Sequence, residues 1–304
     1  MDDAPTEPER HRYVVASAEA GVRLDSWLAD AAGVARAAAR RAIDQRRVRV
    51  DGSVAAAGLA VRAGQTVEVR GAIDDRAEPP AAWAGSGLTV LGEGAGWVAI
   101  DKPAGVAVHP LDATQRRTAL NAVVARRPTI VGVGEGGLRS GVVHRLDVAT
   151  SGAMLFATDE GRWREFREAF SRHTARKRYV ALVHGEGELP CGDIALRLAV
   201  KRHRPARVGV VESDEAGSAC SLAARVVERR DGFARVEVDL HTGFLHQVRV
   251  MLAHLGRPVV GDAVYGPDPA RGERLMLHAE RVAIGAIDIV SPVPFGLDDV
   301  IEAG

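Results

Sequence analysis

The apolar residues of this chain arrive in short runs cut by glycine and proline, and that spacing decides its architecture. In residues 88–110, LTVLGEGAGWVAIDKPAGVAVHP, apolar runs alternate with Gly-rich and Pro-Ala-Gly breaks. The segment predicts strand, turn, strand, turn, strand. RKRYVALVHG (176–185) and FARVEVDLHTG (233–243) read as further strands. Helical spacing is confined to separate stretches: Trp163, Phe166 and Phe170 share a face over 162–173, and 244–256 reads as a helix stopped by Gly256. Hairpins with segregated helices predict an α+β fold rather than a doubly wound parallel sheet.

The N-terminal part has a different rhythm. RLDSWLADA and the alanine-rich VARAAARRAIDQRR predict two short helices, followed by a hairpin turning at Asp51-Gly52 and a last strand before Gly71. The expected organisation is a disordered acidic tail over 1–19, a small unit over 20–71, a linker over 72–86 and a large unit over 87–304. Net charge is zero, yet residues 20–70 carry nine Arg against five acids. Residues 162–178 carry seven Lys or Arg against two acids, and 197–207 carry five with none. Three basic stripes on a neutral protein point to a polyanion, with Arg36, Arg40 and Arg41 on one helix face as candidate phosphate contacts. No apolar run approaches the roughly 20 residues of a membrane helix, and the start carries no secretory or transit pattern. The two cysteines, Cys191 and Cys220, supply no disulfide framework. A monomeric cytoplasmic protein without membrane association is expected.

The candidate chemistry centres on GVVHRLDVATSGAMLFA (141–157), where charges stand between two apolar runs that read as strands. Alternation would set Arg145 and Asp147 on one face, with Val142, His144 and Leu146 on the other. Tyr179 follows three cations at a strand start, and Arg249 interrupts an apolar helix, where a buried guanidinium requires a carboxylate. An Asp held ionised beside Arg suits a nucleophile or a base. His241, His246 and His254 lack zinc-ligand spacing, so no metal is expected. A nucleotide-binding Gly-rich loop with Lys-Ser or Lys-Thr and a Gly-x-Ser-x-Gly elbow are both missing. Residue by residue, the sequence supports an Asp-Arg-Tyr site in an RNA-binding protein.

Segment 141–157 closely resembles the His-Arg-Leu-Asp signature of the RluA family of pseudouridine synthases. VAIDKPAGVAVHP is similar to that family's Lys-Pro-x-Gly segment, and RKRYVALVHG to its tyrosine strand. TGFLHQVRVMLAHLGRPVVGDAVYG is similar to its Thr-Gly-Arg-Thr-His-Gln-x-Arg-Val-His and Gly-Asp-x-x-Tyr-Gly segments, and RLMLHAERV to its closing Leu-His-Ala. Residues 23–25 and 43–52 resemble an S4-type RNA-binding domain, with Arg46 in place of a usual glycine. The resemblance implies a mixed, largely antiparallel sheet with flanking helices. It implies Asp147 as catalytic aspartate, Tyr179 stacking on the target uracil, and Arg249 pairing with the aspartate. Arg145 would hold open the RNA vacated by a flipped uridine, and His144, His246 and Gln247 would contact RNA. The implied reaction is isomerisation of uridine to pseudouridine in ribosomal RNA, or less directly in transfer RNA, without metal or cofactor. Departures stand at Phe244 and Leu245, where the family has Arg-Thr, and at Met251, where it has His. They keep open a competing reading, a catalytically weak or silent RNA-binding or ribosome-assembly protein on the same fold.

Overall fold

The computed structural model describes residues 10–301 except 35, 74–78, 86, 113, 191, 204, 213–215 and 268–273. The chain divides into two compact units, Met1–Glu78 and Pro79–Gly304. The division lies inside the stretch expected as linker.

The first unit contains β1 (Arg10–Val14), α1 (Leu24–Ala32), α2 (Arg36–Asp44), β2 (Val48–Val50), β3 (Ser53–Val54) and β4 (Thr66–Arg70). The sheet order is β1-β4-β2-β3, antiparallel throughout. The expected tail needs correction from residue 10 onward. β1 pairs with β4 from Arg10↔Arg70 to Val14↔Thr66, Tyr13 packs on the core, and Val15 is buried. The short alternation in 10–14, with only Tyr13 and Val14 apolar after three basic residues, is too weak a signal alone and gains its strand from β4. Leu24, Trp27 and Leu28 of α1 meet Ala39 and Ile43 of α2 over Val48, Val67 and Val69. Gly33, left-handed at φ 65°, ends α1.

The second unit runs β5 (Thr89–Gly94), β6 (Trp97–Lys102), α3 (Ala119–Arg126), β7 (Ser151–Ala157), α4 (Glu160–Ser171), β8 (Arg176–His184), β9 (Asp193–His203), β10 (Ala206–Val211), β11 (Ser218–Arg230), β12 (Phe233–Leu240), α5 (Gln247–His254), β13 (Leu277–Ile284), β14 (Ile287–Val290) and α6 (Asp298–Ile301). One sheet takes the order β10-β9-β11-β12-β8-β13-β7-β6-β5, with β14 beside β13. Only β13 and β7 run parallel. The α+β mixed sheet expected from the sequence is therefore present. Two expected strands are absent: beyond Lys102 only Ala107 forms an isolated bridge, to Thr118, and before β7 only Val142 does, to Phe156.

The parallel contact fixes one glycine. Gly152 has φ 122°, and a Cβ there would stand 2.2 Å from the Ala279 carbonyl oxygen. Only glycine lets β7 enter the sheet beside β13 at this point. The site is built on the irregular segment just before that entry.

Candidate active site

Residues 141–150 are not strand, so their backbone polar groups need other partners. α4 supplies two: Trp163 Nε1 donates to the Val142 carbonyl at 3.2 Å and Arg167 Nη1 to that of Val143 at 3.2 Å. Gly105 N and Lys102 Nζ both donate to the Val148 carbonyl, at 2.8 and 3.2 Å. Thr150 N closes a turn on the Asp147 carbonyl at 3.1 Å. Asp147 thus rides on a loop held from both sides.

Lys102 is fully buried and was not among the expected site residues. Its ammonium also donates to the carbonyls of Pro103 at 2.9 Å and Val106 at 2.8 Å. Burial lowers its pKa to about 8, against an opposing pull from Asp147. The sequence shows the Lys-Pro pair as a break between strands and as part of a family-like segment, with no role attached to the lysine.

Arg249 reaches Asp147 from α5, with Nη1 to Oδ2 at 3.4 Å. Its principal partner is another carboxylate. Asp262 takes Nε and Nη2 at 2.7 Å each, in a two-pronged pair whose Asp side is fully buried. Burial opposes both charges. Arg249 nonetheless has a raised pKa through Asp262, and Asp262 a lowered one through Arg249 and the N–H groups of Val264 and Tyr265. The guanidinium also lies 5.2 Å from the centre of the Tyr265 ring. The expected contact of Arg249 with Asp147 is present, but as the longer of two, with Asp262 as the partner the sequence reading did not name. Asp262 and Tyr265 belong to GDAVYG, a segment without periodicity that the sequence marks only through the family resemblance.

A cleft of about 1120 Å³ opens over this centre. Among the described residues its lining carries Arg117, Arg139, Arg145, Arg167, Lys177 and Arg249, and a single carboxylate, Asp147. Such a surface attracts an anionic ligand and keeps one negative group for chemistry. Tyr179 lines it from β8; burial first, and the Asp147 charge second, raise its phenol well above the ordinary range, so it stays protonated. Arg145 is exposed at the cleft, as expected of a residue that meets RNA.

The remaining expected RNA contacts divide. His246 lines the cleft in the left-handed region at φ 54°, with Nδ1 hydrogen-bonded to the Tyr265 hydroxyl at 2.9 Å. His144 also lines the cleft, but one face of it is committed to the protein. Its Nε2 accepts from Leu155 N at 2.9 Å, its ring stacks on Phe170 at 4.5 Å, and burial lowers its pKa to about 3. Gln247 is likewise occupied: Oε1 accepts from Thr242 Oγ1 at 2.9 Å and Phe244 N at 3.0 Å, and Nε2 donates to the Ser221 carbonyl at 3.0 Å. It shapes the 242–247 loop from inside. Phe244 and Leu245 pack against the core while lining the cleft, and Met251 is wholly buried.

In the first unit, Arg36 and Arg40 do recur on one face, but they converge with Arg23 on the buried carboxylate of Asp25, at 3.1, 3.8 and 3.0 Å. Each stays about half exposed, so the pairing restrains the guanidiniums without removing them from solvent. Arg41 is half-buried. Among the described residues, no three His, Cys, Asp or Glu side chains gather as metal ligands, and no helix is long and apolar enough to cross a membrane.

Comparison with known proteins follows these two units. Residues 96–254 match the RNA pseudouridylate synthase family profile, and residues 22–67 match the S4 domain. The chain is 33% identical to an uncharacterised RNA pseudouridine synthase of Mycobacterium bovis, over 93% of this chain and 94% of that protein. It is 33% identical to the ribosomal large subunit pseudouridine synthase D of Xanthomonas campestris, over 100% of this chain and 96% of the relative. The structure of human RNA pseudouridylate synthase domain containing 1 shares the fold, with a TM-score of 0.59 at 24% identity over 72% of this chain and 88% of that one.

Proposed function

The chain belongs to the RluA-type family of RNA pseudouridine synthases, and we propose that it modifies large-subunit ribosomal RNA through Asp147. The observation that carries the proposal is that Asp147 is the single carboxylate among the described lining residues of a cleft whose other charged groups are cations. A purely RNA-binding surface has no use for an anion facing phosphates, and holding one there opposes binding. The relative named for the ribosomal large subunit supports the choice of RNA.

In this reading the target uridine leaves its stack and enters the cleft, with its base against Tyr179 and Arg145 beside the vacated position. A tyrosine kept protonated presents a neutral ring face and hydroxyl to the base. The Asp147 carboxylate then assists cleavage of the bond from ribose C1′ to uracil N1, either by attacking C1′ or by removing a ribose proton. Arg249 holds that carboxylate in place, while Asp262 fixes Arg249. The base turns and rejoins through C5.

Asp147→Asn preserves size and removes the charge and the reactive oxygen. The purified variant is expected to bind ribosomal RNA at least as tightly as the parent and to form no detectable pseudouridine. Pseudouridine mapping on RNA from cells lacking the protein, treated with either form, measures the modification, and a binding titration on the same RNA measures the affinity. Modification by Asp147→Asn at the parental rate would falsify the assignment and restore the RNA-binding reading.

A further inference from the structure

Among the described residues Lys177 is the one cleft-lining ammonium, and its surroundings are unusual for a lysine. It sits on β8 with only part of its side chain exposed. One N–H donates to the Thr242 carbonyl at 2.7 Å. No carboxylate among the described residues pairs with it, and burial alone lowers its pKa to about 8. Lys102, the other buried lysine of this region, satisfies its ammonium on three carbonyls. Lys177 has one, so its remaining N–H groups lack a protein partner among the described residues. A desolvated cation without a counter-ion signals that the ligand supplies the negative charge.

The placement indicates which charge. Lys177 and Tyr179 are two residues apart on one strand, so they share a face about 7 Å apart. The exposed Arg145 stands at the cleft edge, whereas Lys177 is half-buried within the cleft, beside His144 and the 242–247 loop. A base lying against Tyr179 would bring one of its carbonyl oxygens, O2 or O4, toward the ammonium. We propose that Lys177 is a catalytic residue that stabilises the negative charge gathering on uracil as it leaves C1′, an inference that rests on the reading of Tyr179 and Asp147 above.

The step balances without a co-reactant. When the C1′–N1 bond breaks, its electron pair departs with N1 and spreads to O2 and O4. The Lys177 ammonium donates a hydrogen bond to one of these oxygens and keeps its proton. The same pair then forms the C5–C1′ bond. Loss of the C5 proton and uptake of one at N1 complete an isomer of the starting nucleotide. A donor aimed at developing charge acts on the transition state more than on binding.

The full chain provides the test, with Lys177→Met and Lys177→Arg assayed on large-subunit ribosomal RNA transcribed with uridine or with 5-fluorouridine. Fluorine withdraws electrons and stabilises the departing base, so cleavage of the C1′–N1 bond in a fluorinated base depends less on the lysine. Its C5 carries no proton to lose, so the rate on that RNA is read as disappearance of 5-fluorouridine rather than as pseudouridine formed. Lys177→Met is expected to lower the single-turnover rate on uridine RNA roughly a hundredfold and to change the dissociation constant less than about threefold. On fluorinated RNA the loss shrinks below about tenfold, and Lys177→Arg recovers most of the rate, since its cation persists. Equal losses on both RNAs, or weakened binding with an unchanged rate at saturation, would overturn the proposal in favour of a structural or phosphate-holding lysine. Urea unfolding of each variant separates misfolding from chemistry, with the arginine form as the second reading. An inactive Asp147→Asn beside a fully active Lys177→Met defeats only this inference. An active Asp147→Asn defeats the site reading beneath it.

Discussion

Arg249 stands between two carboxylates, and the geometry ranks them. Asp262 makes two bonds of 2.7 Å, Asp147 one of 3.4 Å. Asp262 neutralises the guanidinium, leaving Asp147 steered by a cation that is already balanced. Asp147 is therefore oriented by Arg249 without being locked into a two-pronged pair, and its carboxylate stays available at the cleft. Asp262→Asn tests the division. It leaves a buried guanidinium short of its partner, and breaking such a pair costs about 3 kcal/mol or more. The urea midpoint should drop accordingly, and the pseudouridylation rate should fall because Arg249 turns toward Asp147. A variant with parental stability and rate would mean that Asp262 is dispensable. The sequence made the need for a carboxylate legible, because a buried Arg in an apolar helix demands one. It did not identify Asp262, since a residue in an aperiodic turn acquires its partner only when the chain folds α5 against it. The same limit hid the part played by Lys102, and it hid the internal hydrogen bonds of His144 and Gln247, expected as RNA contacts. Polar residues near a catalytic signature look alike in sequence whether they face ligand or backbone.

Among elements, those with a strong periodic signal were legible and those made by pairing were not. α4 and α5 follow from their apolar spacing, with α4 burying Phe166 and α5 burying Val248, Met251 and Leu252. β1 depends on β4 as template, and 141–150 looks like strand because its apolar residues are buried in a loop pinned by α4. Thr150-Ser151-Gly152 reads as a turn, yet Gly152 lies within β7, required by the close approach of Ala279 rather than by reversal. Arg46, the departure from the S4-type pattern, has a defined consequence. It follows α2 at φ 58°, in the left-handed conformation that a glycine takes without penalty. Its side chain is exposed. Arg46→Gly removes the clash of Cβ with the local backbone, which is worth about 1 kcal/mol, partly offset by the greater freedom of glycine in the unfolded chain. The first unit is expected to unfold at higher urea by a corresponding amount. A lower midpoint would show that the Arg46 side chain contributes more than its conformation costs.

At the scale of the molecule, chemistry and affinity are assigned to different units. The carboxylate, its arginine, the tyrosine and Lys177 all lie in Pro79–Gly304, which has hydrophobic cores of its own. The first unit has its own core and a basic face on which Arg23, Arg36 and Arg40 surround Asp25. One buried carboxylate shared by three guanidiniums leaves a surplus of positive charge, and tethering lowers the entropy lost when those groups meet phosphates. Each phosphate contact adds about 0.9 to the slope of log affinity against log salt on duplex and about 0.7 on single strands. A fragment of residues 79–304 is therefore expected to fold, to bind ribosomal RNA more weakly, and to show a slope shallower by roughly two to three. Its single-turnover rate at saturating RNA should remain within a few-fold of the full chain, because no group that touches the reacting uridine has been removed. Asp25→Asn in the full chain provides the complementary case: it frees the arginines, destabilises the first unit, and should leave the slope steep in whatever fraction stays folded. Titrating RNA affinity at several salt concentrations for the three proteins checks the division. An unchanged slope in the fragment would place RNA affinity in the catalytic unit alone and leave the arginines around Asp25 with a purely structural part.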